Sequence, residues 1–124
     1  MGLKLDYLLD TNIFILLFNS NLAESIPNGK LGYSVITEIE LLSFSRLTKD
    51  EENLIRENLK HLHQAALTAN IAQKTILLRQ KYNLKTPDAI IAATAWKCEA
   101  TLLSNDLQLA RITEIRVDSL KINL

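Results

Sequence analysis

The chain has few of the residues that mark secreted, disordered or membrane-spanning proteins. It contains one cysteine, Cys98, so no disulfide can form within the chain, which fits a reducing, cytoplasmic location. Three glycines and two prolines are too few for a linker or a disordered tail. Asp6 and Asp10 interrupt the apolar N-terminal stretch, which therefore predicts neither a signal peptide nor a membrane span.

The chain also lacks a surplus of charge of either sign. Its 14 basic and 14 acidic residues give a formal net charge of zero, which leaves only a local patch as a site for a polyanion. The histidines, His61 and His63, have no cysteine or histidine cluster around them, so we expect surface residues and no zinc site. Without a glycine-rich phosphate loop or a Gly-x-Ser-x-Gly motif, the sequence supports neither a nucleotide switch nor a serine hydrolase.

What the chain does contain is a high proportion of leucine, isoleucine and alanine, and 48% of its residues are hydrophobic. Its length predicts a single domain spanning 1–124. Strand-like and helical segments alternate, which is typical of an α/β protein with a mainly parallel sheet. The predicted strands cover 5–9, 32–36, 62–67, 101–104 and 115–117, and the predicted helices cover 12–18, 37–47, 48–61, 68–82, 86–98 and 106–110.

Short signals mark several of the predicted helix starts. Thr48 and Glu51 form a capping-box pattern at the start of a polar, amphipathic helix. Thr86 is predicted to be the N-cap of the helix over 86–98, with a proline in its first turn. That helix is strongly apolar, so Trp96 and Cys98 are expected to belong to the core rather than to a binding site.

Carboxylates follow three of the predicted strands. Asp10 ends the first strand, and Asp106 lies just past the fourth. Glu38 and Glu40 lie just past the second strand. Ligands of parallel sheets gather at the carboxyl ends of the strands, so these acids are expected to lie at one edge. Asp88 is the exception, because it lies in the first turn of the helix that precedes the fourth strand.

Two interpretations of these acids are open at this point. Each acid lies near a predicted helix start, where free amides favour carboxylates, and Thr37-x-x-Glu40 is itself a capping-box pattern. Capping, however, does not require several acids to converge on one sheet edge. Four carboxylates in one pocket could not all stay ionised without a cation. Since only oxygen ligands are offered, that cation would be Mg²⁺ or Mn²⁺ rather than zinc.

Four segments of the chain resemble the acidic motifs of PIN domains. They are LLDTN at 8–12, SVITEIELL at 34–42, TPDAIIAATA at 86–95 and LLSND at 102–106. The segments occur in the family's order and at roughly its spacing, and the resemblance is greatest to the VapC-type toxins of prokaryotic toxin–antitoxin pairs. The resemblance implies a three-layer α/β/α sandwich with a mainly parallel central sheet. It also implies a cytoplasmic endoribonuclease that depends on Mg²⁺ or Mn²⁺.

The resemblance assigns roles to individual acids of this chain. The four acids that match the family's catalytic positions are Asp10, Glu40, Asp88 and Asp106. Three of them, Asp10, Asp88 and Asp106, would hold the metal ion. Glu38 competes with Glu40, because residues two apart face opposite sides of a helix and only one can point inward. Helical periodicity does not decide between the two, whereas the resemblance favours Glu40.

The resemblance also suggests supporting residues and a surface for RNA. Asn12 and Ser104 match polar positions beside the acids, where they would orient carboxylates or water. Three basic residues precede Asp88 and are candidates for contacts with the RNA backbone, namely Arg79, Lys81 and Lys85. A solvated helix end with favourable C-terminal cations is the other interpretation of these three residues.

The implied partners are an RNA substrate, a cognate antitoxin protein and a second copy of the chain in a homodimer, with no membrane involved. The segments 12–18 and 48–61 are the predicted protein-contact surfaces. Two other functional classes are open from the sequence. One is a catalytically inactive PIN-like module that binds RNA or protein, and the other is a structural interaction protein with well-capped helices.

Overall fold

A sheet of five parallel strands forms the centre of the computed structural model, which describes residues 3–123. The strands are β1 (Tyr7–Leu9), β2 (Leu31–Ser34), β3 (His63–Ala65), β4 (Thr101–Leu103) and β5 (Val117–Asp118). Their order across the sheet is β3-β2-β1-β4-β5. From β1 the chain adds β2 and β3 on one side and then β4 and β5 on the other, so the switch point lies between β1 and β4. Open α/β sheets bind ligands at the carboxyl ends of the strands beside such a switch point.

Helices cover both faces of this sheet. They are α1 (Thr11–Phe18), α2 (Val35–Leu42), α3 (Lys49–Lys60), α4 (Ala69–Tyr82), α5 (Thr86–Lys97) and α6 (Leu107–Ala110). Alternate strand residues point to opposite faces, so Leu8 packs in a core with α4 and α5, and Leu9 packs in a second core with α1 and α3. The predicted α/β/α sandwich with a parallel sheet is therefore confirmed.

The boundary between β2 and α2 differs from the prediction. The β-branched pair Val35 and Ile36 was expected to end the strand, but both residues lie in the helix. The side chain of Ser34 accepts a hydrogen bond from the Ile36 backbone N–H at 3.2 Å and caps the helix, which begins at Val35, two residues earlier than predicted. The helix also ends earlier, at Leu42. Thr37 is therefore an internal helical residue, and the capping-box interpretation of Thr37 and Glu40 is wrong.

Of the two helix starts predicted at Thr48 and at Thr86, the first is confirmed and the second is wrong. The capping box is confirmed, since the Glu51 N–H donates to Thr48 Oγ1 at 3.1 Å and the Thr48 N–H donates to Glu51 Oε1 at 3.0 Å. Thr86, by contrast, is the first residue of α5 and not its N-cap. The first helical hydrogen bond runs from the Ala89 N–H to the Lys85 carbonyl, which makes Lys85 the N-cap.

The burial of the cysteine, the histidines and the tryptophan agrees with the sequence prediction. Cys98 is buried, and both histidines are exposed. Trp96 is partly buried against the core around α4 and α5, with the Lys74 ammonium 4.6 Å from the centroid of its ring. Within residues 3–123, no helix combines the length and the apolar character that a membrane crossing requires.

Candidate active site

A pocket of about 350 Å³ opens at the carboxyl edge of the sheet, beside the switch point. Its lining residues are Asp10, Thr11, Asn12, Ile15, Glu40, Asp88, Asn105 and Asp106. The structure thus brings the four predicted acids into one pocket, although they come from four separate segments of the chain. Asp10 follows β1, and Asp106 lies three residues past the end of β4. Glu40 lies on α2, and Asp88 lies in the first turn of α5.

Asp10 is the buried member of this set, with only 6% of its surface exposed. Burial, together with the negative charges of Asp88 and Asp106, raises the pKa of the Asp10 carboxyl to about 6. The hydroxyl of Ser104 opposes this shift by donating to Asp10 Oδ2 at 2.7 Å. The Asp10 side chain makes no capping bond to α1, so capping does not explain this acid.

Ser104 joins two of the acids through one hydroxyl group. It is 2% exposed, donates to Asp10 and accepts a hydrogen bond from the backbone N–H of Asp106 at 3.1 Å. The Asp106 carboxylate in turn accepts from the Gln108 backbone N–H at 2.8 Å and so caps the short helix α6. The capping interpretation is therefore correct for Asp106, which also lines the pocket.

Asp88 is half-buried and lies among other charges. Burial raises the pKa of its carboxyl, the neighbouring acids Asp106 and Glu40 raise it further, and the ammonium of Lys85 lowers it. The raised pKa indicates that burial and the neighbouring acids destabilise the ionised form of Asp88. A bound cation would relieve this repulsion.

Glu38 and Glu40 have different surroundings. Glu40 lines the pocket, and its Oε1 accepts a hydrogen bond from the Thr11 hydroxyl at 2.7 Å. Glu38 instead accepts from the Gln64 side chain at 3.1 Å, at the β3 edge of the sheet. The geometry therefore favours Glu40 as the pocket residue.

The polar residues around the acids match the prediction only in part. Asn12 lines the pocket and is exposed at its rim. Asn105, which the sequence motifs did not single out, also lines the pocket and bonds through its amide to the backbone of Leu120, with distances of 2.9 and 2.8 Å. Thr11 was missed as well, although it stands between two residues that the motif comparison selected. Only the packing of α1 against α2 reveals its contact with Glu40.

The three predicted RNA-binding cations lie in different environments. Lys85 is near enough to Asp88 to lower the pKa of that carboxyl. The ammonium of Lys81 pairs with Glu114 at 3.0 Å. The guanidinium of Arg79 donates to the Leu84 carbonyl at 3.1 Å, within the turn between α4 and α5. Lys85 is therefore the cation that acts directly on an acid of the pocket.

The donors around the pocket suit Mg²⁺ or Mn²⁺ by type, because they are carboxylate, amide and hydroxyl oxygens. In the described part of the chain, however, no group of three or more His, Cys, Asp or Glu side chains is arranged so that it could hold a metal ion. The type of donor atom and the shared pocket fit such an ion. The described carboxylates are not arranged as a complete set of metal ligands in this structure.

Comparisons with known proteins connect this chain to a family. The family model described as PIN domain matches residues 7–115. A chain of the toxin–antitoxin complex from Klebsiella pneumoniae is 30% identical, with a TM-score of 0.74, and the match covers 89% of this chain and 95% of that one. No curated protein matches this chain significantly.

Two further solved structures are similar in fold. A chain of VapBC2 from Rickettsia felis, bound to a DNA fragment from its promoter, has a TM-score of 0.79 and 21% identity over 93% of this chain and 98% of that one. A chain of VapBC-1 from nontypeable Haemophilus influenzae has a TM-score of 0.75 and 22% identity over 91% and 96% of the two chains.

Proposed function

The chain belongs to the PIN domain family, a family of nucleases, and we propose that it is an endoribonuclease that hydrolyses RNA phosphodiester bonds with Mg²⁺ or Mn²⁺. The observation that carries this proposal is the convergence of four carboxylates from separate segments on one pocket at the carboxyl edge of the sheet. The buried Asp10 supports it, because a carboxyl whose pKa is raised by burial and by like charges is typical of functional sites.

Each acid has a role in this proposal. Asp10, Asp88 and Asp106 would hold the ion, which supplies a water of lowered pKa and neutralises phosphate charge. Ser104 fixes the orientation of Asp10 through its hydrogen bond to Oδ2. Glu40 has one oxygen occupied by Thr11, so its other oxygen is free to accept the proton of the attacking water.

The RNA must approach a pocket whose own charges repel phosphate. A bound cation would offset part of that repulsion, and basic residues at the rim would attract the phosphates. Lys85 is the first candidate for a backbone contact, since it already lies within electrostatic reach of Asp88. Arg79 is placed close by, at the end of the preceding helix.

Metal-dependent cleavage of a mixed RNA pool tests the proposal. The purified protein is expected to cleave RNA with Mg²⁺ or Mn²⁺ and to lose cleavage in EDTA. Mn²⁺ at about 100 times its Kd is also expected to stabilise the fold by roughly 2.7 kcal/mol in a thermal melt. Stabilisation without cleavage would instead favour the inactive binding module, and the absence of both would contradict a metal-dependent function.

We further propose that the protein is the toxin of a VapC-type toxin–antitoxin pair, with an antitoxin as its partner. Support comes from the solved structures that resemble this chain, which include toxin–antitoxin complexes. Support also comes from an apolar groove of about 460 Å³ between α1 and α3, whose lining includes residues of the predicted contact segments 12–18 and 48–61. Ile15 lines both the groove and the acidic pocket, so a partner in the groove would lie beside the pocket. A homodimer is also proposed, without an assigned surface.

A charge in this groove is expected to weaken antitoxin binding by roughly 30-fold or more while cleavage by the free protein persists. Leu54 lines the groove and is 51% exposed, so Leu54→Glu should fold normally but bury an unpaired carboxylate in the complex. Loss of a hot-spot residue at an interface costs at least about 2 kcal/mol, or roughly 30-fold in affinity, and the added charge acts in the same direction. Leu77→Glu is the matched control, because Leu77 is 54% exposed on α4. Calorimetric titration with the antitoxin measures both variants, and equal losses would exclude this groove.

A further inference from the structure

The hydroxyl of Thr11 makes two hydrogen bonds that connect α1 to α2. Its Oγ1 donates to Glu40 Oε1 at 2.7 Å, and it lies 2.8 Å from the hydroxyl oxygen of Thr37. Thr37 lies on α2, one turn before Glu40, and is completely buried. Two hydroxyl groups and one carboxylate therefore form a continuous chain that begins in the core and ends in the acidic pocket.

The chemistry of these groups fixes the direction of the chain. An ionised carboxylate can only accept hydrogen bonds, so the single hydroxyl hydrogen of Thr11 points to Glu40. The Thr11 oxygen must then accept a hydrogen bond from the Thr37 hydroxyl, which uses the single hydroxyl hydrogen of Thr37. The order of donation is Thr37 to Thr11 to Glu40, and each hydroxyl polarises the next.

Other buried threonines of the chain behave differently. Thr75 and Thr94 donate to the carbonyl four residues earlier in their own helices, at 2.8 and 2.7 Å. This is the usual local partner of a helical threonine. Thr37 instead directs its hydroxyl across to a neighbouring helix, which means that its hydrogen bond serves the contact between α1 and α2.

Glu40 needs such a tether, because the charges around it oppose its position. Its carboxylate shares the pocket with three other acids and raises the pKa of Asp88. Without a donor, repulsion would favour a rotamer that turns Glu40 out toward solvent. The bond to Oε1 holds the side chain in the pocket and leaves Oε2 unoccupied by Thr11.

We propose that Thr11 and Thr37 form a hydroxyl relay that positions Glu40, with Thr11 as the positioning residue and Glu40 Oε2 as the oxygen presented to the reaction. This inference rests on the proposed ribonuclease function and deepens it. It assigns a role to the residue between Asp10 and Asn12 that neither composition nor motif spacing provides.

Substitutions at position 11 test the relay. Thr11→Val keeps the shape of the side chain but removes the hydroxyl, and it is expected to lower single-turnover cleavage by about 10- to 100-fold. Its Mn²⁺ affinity should be nearly unchanged, because Glu40 is not one of the three acids proposed to hold the ion. Thr11→Ser keeps the donor and should stay within about threefold of the wild type. Thr37→Val leaves the Thr11 donor in place, so its loss should be smaller than that of Thr11→Val. Calorimetric titration with Mn²⁺ alone gives the affinity independently of activity.

Two controls separate positioning from a general effect on folding. Thr75→Val removes a buried hydroxyl that bonds within α4 and should leave both RNA cleavage and Mn²⁺ affinity unchanged. In a double-mutant cycle, Thr11→Val should cost nothing further once Glu40→Gln is present, because the relay acts through Glu40. Additive losses, or equal losses in Thr11→Val and Thr75→Val, would overturn the relay. A wild type that neither binds Mn²⁺ nor cleaves RNA would overturn the proposed function and the relay with it.

Discussion

Replacing Asp10 by asparagine is expected to lower metal-dependent RNA cleavage by at least about 1,000-fold, since a metal ligand supplies several kcal/mol of transition-state stabilisation. The asparagine side chain has nearly the shape of the aspartate and could still accept the hydrogen bond from Ser104. The substitution therefore removes a charge rather than a contact. Single-turnover cleavage of a defined RNA, with saturating Mn²⁺, measures the loss.

The same variant is expected to be more stable than the wild type when metal is absent. The pKa of Asp10 is raised from 3.8 to about 6 in the folded protein, so the folded state binds this proton more tightly than the unfolded chain does. The stability of the metal-free wild type should thus fall as the pH rises from about 4 to about 6 and stay low above that. The full penalty is on the order of 2–3 kcal/mol, and the raised pKa of Asp88 acts in the same direction.

Chemical unfolding of the two metal-free proteins between about pH 4 and pH 7 measures this difference, which should grow with pH because the Asp10→Asn variant lacks the titrating group. Asp6→Asn is the matched control, because Asp6 precedes the same strand but bonds to the backbone of Lys30 outside the pocket. It should cleave RNA like the wild type. An Asp10→Asn variant that is less stable than the wild type at every pH would show that the carboxylate has a structural role instead.

Much of the fold could be predicted because its local signals agree with its packing. Strand segments such as Leu8–Leu9 are apolar on both faces, which is what a parallel sheet covered by helices requires. The capping box of Thr48 and Glu51 fixed the start of α3 from two residues alone. The junction of β2 and α2 could not be predicted in this way. Val35 and Ile36 have strong strand propensity, which the Ser34 cap and the surrounding packing override.

The candidate site was predictable to the extent that strand ends define one edge of the sheet. Asp10 and Asp106 could be placed there from the sequence, because both closely follow apolar strands. The hydrogen bonds that orient these acids depend on contacts between distant segments, such as the bond from Ser104 to Asp10 across 94 residues of chain. Thr11 and Asn105 were missed for the same reason, since a threonine or an asparagine next to an acid carries no local signal of its distant partner.

The choice between Glu38 and Glu40 illustrates this limit. The buried face of α2 is defined by Thr37 and Leu41, which are 0% and 1% exposed. At about 100° per residue, Glu38 and Glu40 lie at similar angles on opposite sides of that face, so periodicity treats them alike. Tertiary structure breaks the symmetry. One side of the helix meets α1, where Thr11 bonds to Glu40, and the other meets β3, where Gln64 bonds to Glu38.

Paired substitutions on α2 should therefore give unequal results. Glu40→Gln is expected to lower single-turnover cleavage by about 100-fold or more, the usual range for the loss of a general base. Glu38→Gln keeps an oxygen for Gln64 and should remain within about twofold, as expected for a polar substitution away from the site. Circular dichroism melts check that both variants fold. Equal losses of cleavage in the two variants would mean that α2 contributes only overall negative charge. A loss confined to Glu38→Gln would contradict the assignment of Glu40 to the site, because it would mean that α2 presents its opposite side during catalysis.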